Sequence, residues 1–177
     1  MNFLPRFLGA VLRPLGLLAL LAAPLAAADT GAPAPEMENG YLRLGFDRLA
    51  SYKFAAPAYD PAADPKAPPA TGEEQIPDRV KAWSGQKAIV TGFMLPVKMD
   101  GGLVTEFLLV KDPMMCCYGV IPNMNEWVVV RMTQGGVHPL MDVPISFYGR
   151  LKVGAMFENG YMTGIYLLEG ERMGEVK

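Results

Sequence analysis

The stretch ISFYGRLKVGAMFENGYMTGIYLL, residues 145–168, decides the fold class. Ile145, Phe147, Leu151 and Val153 face one way while Ser146, Arg150 and Lys152 face the other, which is the period-2 pattern of a half-buried strand over Ile145–Val153. Gly149 falls on the inner face, where a glycine marks a bulge or sharp bend of the kind small barrels use to close. Asn159-Gly160 is the strongest short hairpin signal in the chain, because both central residues of the favoured two-residue turn need positive φ. The hairpin it predicts returns through Tyr161–Leu168.

Working outward, the same period recurs. Lys87–Val97 is a first β run, broken by Gly92, and Leu103–Val110 is a second, reached through Asp100-Gly101-Gly102; these two predict another hairpin. Glu126–Met132, with Trp127 and three consecutive valines, reads as a central strand. Upstream the period is near 3.6: Ile76, Val80 and Trp83 share one helical face, Thr71 and Glu74 have capping-box spacing, and Gly85 supplies a stop. A short helix over about 75–84 follows.

One helix and five strands with strong bends predict a mainly β domain over residues 75–172, a small five-stranded barrel like the oligonucleotide/oligosaccharide-binding fold. The alternative is a β-sandwich, whose immunoglobulin form wants about seven strands. Such a barrel names no ligand by itself.

The N-terminus sets the compartment. Arg6 and Arg13 precede an apolar run from Leu15 to Leu25 that ends in Ala26-Ala27-Ala28, the layout of a cleavable secretory signal over residues 1–28. The run has about half the roughly 20 residues of a bilayer span, so no permanent membrane anchor is expected. A periplasmic or secreted chain of 149 residues, cleaved near Ala28, is the expectation. It carries 14 basic against 18 acidic residues, which makes nucleic acid a poor partner. Residues 29–40 read as a flexible leader. Residues 41–74 read as an apolar docking segment followed by a Pro/Ala-rich connector from Ala55 to Ala70, and 173–177 as a tail.

Cys116 and Cys117 are the only cysteines and are adjacent. Three readings stand side by side. A vicinal disulfide would be strained and easily reduced, since neighbouring Cα atoms sit about 3.8 Å apart and an ordinary bridge wants about 4.4–6.8 Å. Two thiolates beside Met114 and Met115 form a soft ligand set suited to copper(I). Packed thiols with gap-filling methionines, or intermolecular pairing, form the third. His138, the only histidine, sits in a loop sequence and has no identifiable nucleophile partner. Asn123, Asn125 and Glu126 precede the Trp127 strand and read as turn and strand-entry residues, with ligand or partner contact by these and Trp127 as the functional alternative. No phosphate loop, dinucleotide fingerprint or HExxH motif is present, and no carboxylate pair can be nominated, so the chain leans away from catalysis and cofactors.

The order of IVTGFMLP, GGLVTEFLLVKDPMMCCYG, PNMNEWVVVRM and GRLKVG...NGYMTGIYLLEG resembles the bacterial family known as domain of unknown function 3299, over roughly Phe46–Arg172. The resemblance implies an exported protein of Gram-negative type with a compact OB-like domain. Many members are lipoproteins; this chain lacks a lipidation cysteine near the cleavage site. Some members lie beside export or metal-transport genes, which implies an accessory role in envelope transport with an envelope protein as partner. Many carry one cysteine where Cys116-Cys117 stand, so the vicinal pair marks a subgroup.

Overall fold

In a computed structural model the described residues are 34–58, 67–115 and 122–174, all within one compact unit, Ala32–Lys177. The expected secretory leader, the middle of the expected connector and Cys116-Cys117 lie outside them. The architecture is mainly β. Seven strands form one mixed sheet: β1 (Met37–Glu38), β2 (Tyr41–Leu44), β3 (Lys87–Asp100), β4 (Leu103–Val110), β5 (Trp127–Met132), β6 (Pro144–Glu158) and β7 (Tyr161–Met173). Their order is β1-β2-β3-β4-β5-β7-β6, and β6 also pairs with β3, which brings five strands into a partial ring.

Local chemistry accounts for most of the pairings. Asn159 (φ 50°) and Gly160 (φ 84°) make the turn between β6 and β7. At Gly149 the register between these strands shifts, and a Cβ there would lie 2.2 Å from the Glu169 carbonyl oxygen, so only glycine admits the close approach. The β3–β4 hairpin forms through Gly101-Gly102. β3 runs unbroken through Gly92; its irregularity falls instead between Pro96 and Met99. β6 extends past Val153 to Glu158 because two register shifts, around Met156, absorb the loss of alternation after Gly154.

Three expectations are corrected. The predicted helix is split into a 3-10 turn, Glu73–Gln75, and the short helix α2, Asp78–Lys81. The residue before a proline is driven out of the helical region, and Ile76 accordingly lies extended (ψ 120°) before Pro77. Thr71 accepts a hydrogen bond from the Glu73 amide (3.3 Å) rather than forming a capping box with Glu74. The leader is not flexible throughout, since Met37–Glu38 pair with β2 across a turn at Asn39-Gly40, a second Asn-Gly with both φ positive. β2 in turn lies parallel to β3, with Leu42 opposite Ala88 and Leu44 opposite Val90.

The core fills the ring. Val90, Met94, Phe107, Leu109, Val128, Val130, Ile145, Phe147, Leu151, Ile165, Tyr166 and Leu168 are buried. Leu44, Phe46, Leu49 and Phe54 join them from the N-terminal segment, whose one helical turn α1 is Phe46–Leu49, together with Ile76 and Val80. Outside, charges alternate across strands. Glu106 receives hydrogen bonds from Lys98 (3.1 Å) and Arg131 (2.8 Å), Arg131 also reaches Glu158, and Lys152 pairs with Glu169. No helix among the described residues is long and apolar enough to cross a membrane.

Candidate binding cleft

Asn123 begins the cleft's first wall. It caps the 3-10 turn Met124–Glu126: its side chain accepts from the Glu126 amide, while Glu126 Oε2 accepts from the Asn123 backbone N–H (3.0 Å) and from Asn123 Nδ2 (3.2 Å). This is the reciprocal arrangement of a capping box, with asparagine in place of serine or threonine. Lys111 Nζ lies 3.6 Å from the other carboxylate oxygen. Glu126 is therefore compensated within the protein. Asn125, only 2% exposed, donates from Nδ2 to the Tyr52 carbonyl at 2.6 Å, as a buried amide must find a partner.

The second wall is the segment Ala50–Ala58. It has no turn or bend from Lys53 to Ala58, and its side chains alternate: Tyr52 half-buried, Lys53 exposed, Phe54 buried, Ala55 exposed. That is the alternation of extended chain. Tyr166 Oη donates to the Leu49 carbonyl (2.9 Å), so it accepts from the Tyr52 hydroxyl at 2.8 Å. Burial pushes the Tyr166 phenol far above its ordinary range, reinforced by its contact with Tyr52. Burial also raises Tyr52, against a smaller opposing effect of its bond to Tyr166. Both hydroxyls stay protonated and act as fixed struts. On the outer side the Gln75 amide makes two bonds to Ala55, accepting from its N–H and donating to its carbonyl, both at 3.0 Å.

Between the walls lies an open cleft of about 600 Å³, lined by residues 50–55 together with Asn123, Asn125 and Glu126. This is within the range of ligand sites, about 300–1,000 Å³. Its polar walls are held by internal hydrogen bonds, so the shape is set before any ligand arrives. Lys53 makes no ion pair with a described residue. The lining offers amide edges, one cation and a compensated carboxylate. It suits recognition.

Three of the residues singled out from sequence, Asn123, Asn125 and Glu126, come together on one wall. Trp127 does not join them; its indole N–H donates to the Thr163 carbonyl (3.2 Å) beside Gly164. Met114, on the 3-10 turn Pro113–Met115, is 50% exposed. Cys116, Cys117 and the Met115 side chain lie outside the described residues. His138 is exposed in the loop after β5. Among the described residues no three His, Cys, Asp or Glu side chains gather as a metal site would require. Tyr52, Lys53, Gln75 and Tyr166 were not legible as site residues. Tyr52 and Tyr166 stand 114 positions apart, and no local pattern links them.

Residues 54–175 match the model of a family described as protein of unknown function (DUF3299). Among solved structures the chain is similar to the crystal structure of a DUF3299 family protein from Pseudomonas aeruginosa. The two share 26% identity with a TM-score of 0.52, over 75% of this chain and 94% of that one. No curated protein matches.

Proposed function

This chain belongs to the DUF3299 family, and from that premise we propose that it is an exported, periplasmic binding or accessory module of the cell envelope, serving a transport system rather than catalysing a reaction. The observation that carries this reading is the preformed cleft between Ala50–Ala55 and Asn123–Glu126, whose polar groups hold the walls in place. Export rests on the leader sequence, with cleavage near Ala28. What supports an OB-like architecture is the pairing of β3 with β4, β4 with β5, β5 with β7 in parallel, β7 with β6, and β6 back to β3. OB-type barrels commonly serve as recognition modules.

Affinity capture of the tagged full chain from envelope extracts tests this function. A specific envelope protein, lost on widening the cleft with Asn125→Ala, is the expected result. A chain retained uncleaved in the cytoplasm, or one that captures nothing beyond an inert exported control, overturns it. The half-exposed Met114 favours one second reading, in which it joins Cys116, Cys117 and Met115 in holding copper(I) or flanks a redox-active thiol pair. Unchanged copper content and thiol reactivity in a Cys116→Ser/Cys117→Ser variant dispose of it.

A further inference from the structure

Lys53–Ala55 has the makings of an unfilled strand position. In a strand, the N–H and C=O of one residue point to the same edge and those of the next residue to the opposite edge. On the outer edge of this segment Gln75 exchanges two hydrogen bonds with Ala55, the pattern two residues make when directly paired in an antiparallel ladder. A side-chain amide stands where a neighbouring strand would run. Phe54 belongs to the other edge and lines the cleft opposite the Asn123–Glu126 wall. There the Tyr52 carbonyl is taken by Asn125 (2.6 Å), whereas no described residue bonds the Phe54 amide or carbonyl. The free backbone position borders the cleft.

Charge selects the occupant. Lys111 and the Asn123 donors compensate the Glu126 carboxylate. Lys53, exposed at the rim, has no ion-pair partner among the described residues. We propose that the cleft binds an extended acidic peptide segment, added as a strand against Phe54 with a carboxylate of the segment on Lys53. This rests on the binding-module reading and names its ligand class. Main-chain bonds supply the anchoring in such strand addition, and side-chain contacts supply the choice of partner.

The test uses the full chain as exported and three fluorescein-labelled octapeptides. One alternates valine and glutamate, one alternates valine and lysine, and the third is the glutamate peptide N-methylated at alternate residues so that one edge cannot donate. By fluorescence anisotropy the glutamate peptide binds at least about tenfold more tightly than either of the others, a gap of about 1.4 kcal/mol. Lys53→Glu, a change on an exposed side chain, reverses the charge preference, and hydrogen exchange of the Phe54 amide slows when the glutamate peptide is added. Equal binding of the acidic and basic peptides, full binding of the N-methylated one, or an unprotected Phe54 amide overturns the proposal. If affinity capture still returns an envelope partner whose cross-links fall outside residues 50–55 and survive Lys53→Glu, the peptide site falls and the module reading stands. A peptide that binds as proposed while capture returns nothing keeps the binding module and its site and overturns only the envelope partner.

Discussion

The two ends of the five-strand ring are closed by different means. At the end where β5 begins, the closing segment comes from far away in sequence: Phe46, Leu49 and Phe54 are buried, and the chain between them is tied down by Asn125 on the Tyr52 carbonyl and by Tyr166 on the Leu49 carbonyl. Where β5 finishes, the closure is local. Thr133 bonds the Gly170 carbonyl through both its amide and its hydroxyl, Val137 makes a single bridge to Val104, and Val137, Leu140 and Val143 are only half-buried. Val97, Met99 and Met141 stand about half exposed. The first end is set rigidly by buried polar bonds that admit one arrangement; the second is a loop of modest burial. A preorganised cleft belongs at the first.

The largest expected effect strikes the buried end. Leu49→Ala removes a fully buried side chain and lowers unfolding free energy by about 2–5 kcal/mol, whereas Leu140→Ala at the other end costs about 1 kcal/mol. Urea denaturation of the two variants measures the contrast, and equal losses erase it. Next, Asn125→Ala leaves the Tyr52 carbonyl without its donor and costs about 1–3 kcal/mol, with faster hydrogen exchange confined to residues 50–55. Exchange that quickens throughout the sheet instead removes the distinction between strut and core.

The ring wall between the ends supplies a pH-dependent control. Burial alone would raise the Glu106 carboxyl, but hydrogen bonds and charge from Lys98 and Arg131 outweigh it and hold it below its ordinary value of 4.5. A carboxyl lowered on folding adds stability that is complete above the unfolded value and fades as pH falls through the folded one. Glu106→Gln therefore costs about 1 kcal/mol at pH 7, and the difference shrinks below about pH 4.5. A gap that stays constant as pH falls assigns the effect to packing rather than to charge. The smallest effect falls on the exposed end, where Met99→Ser changes stability by less than about 0.5 kcal/mol.

Much of the sheet was legible because its signals are local. Leu103–Val110 forms β4 with the expected bounds, and Asn159-Gly160 turns β6 into β7 as its residue types require. The errors share a cause. β6 outlasts Val153 because bulges let a strand continue where its alternation lapses, and the helix expected at 75–84 breaks where Pro77 forbids a helical Ile76. The Asn-Gly at 39–40 carries the same signal as the one at 159–160, but it sits in a stretch whose composition reads as flexible leader.

For the site the balance differs. The sequence alone placed a turn and strand entry at Asn123, Asn125 and Glu126, where the structure has the 3-10 turn Met124–Glu126. It also determined the mainly β class, the family, and the turns that set hairpin register. Only the tertiary structure decided that Asn125 meets Tyr52 across 73 residues, that Tyr52 meets Tyr166 across 114, and that Gln75 holds Ala55 from behind. Local propensity acts over a few residues and fixes φ, ψ and period. Which distant polar groups meet is fixed by the closing of the ring around its core, since a buried donor must take whichever acceptor the packing brings within reach.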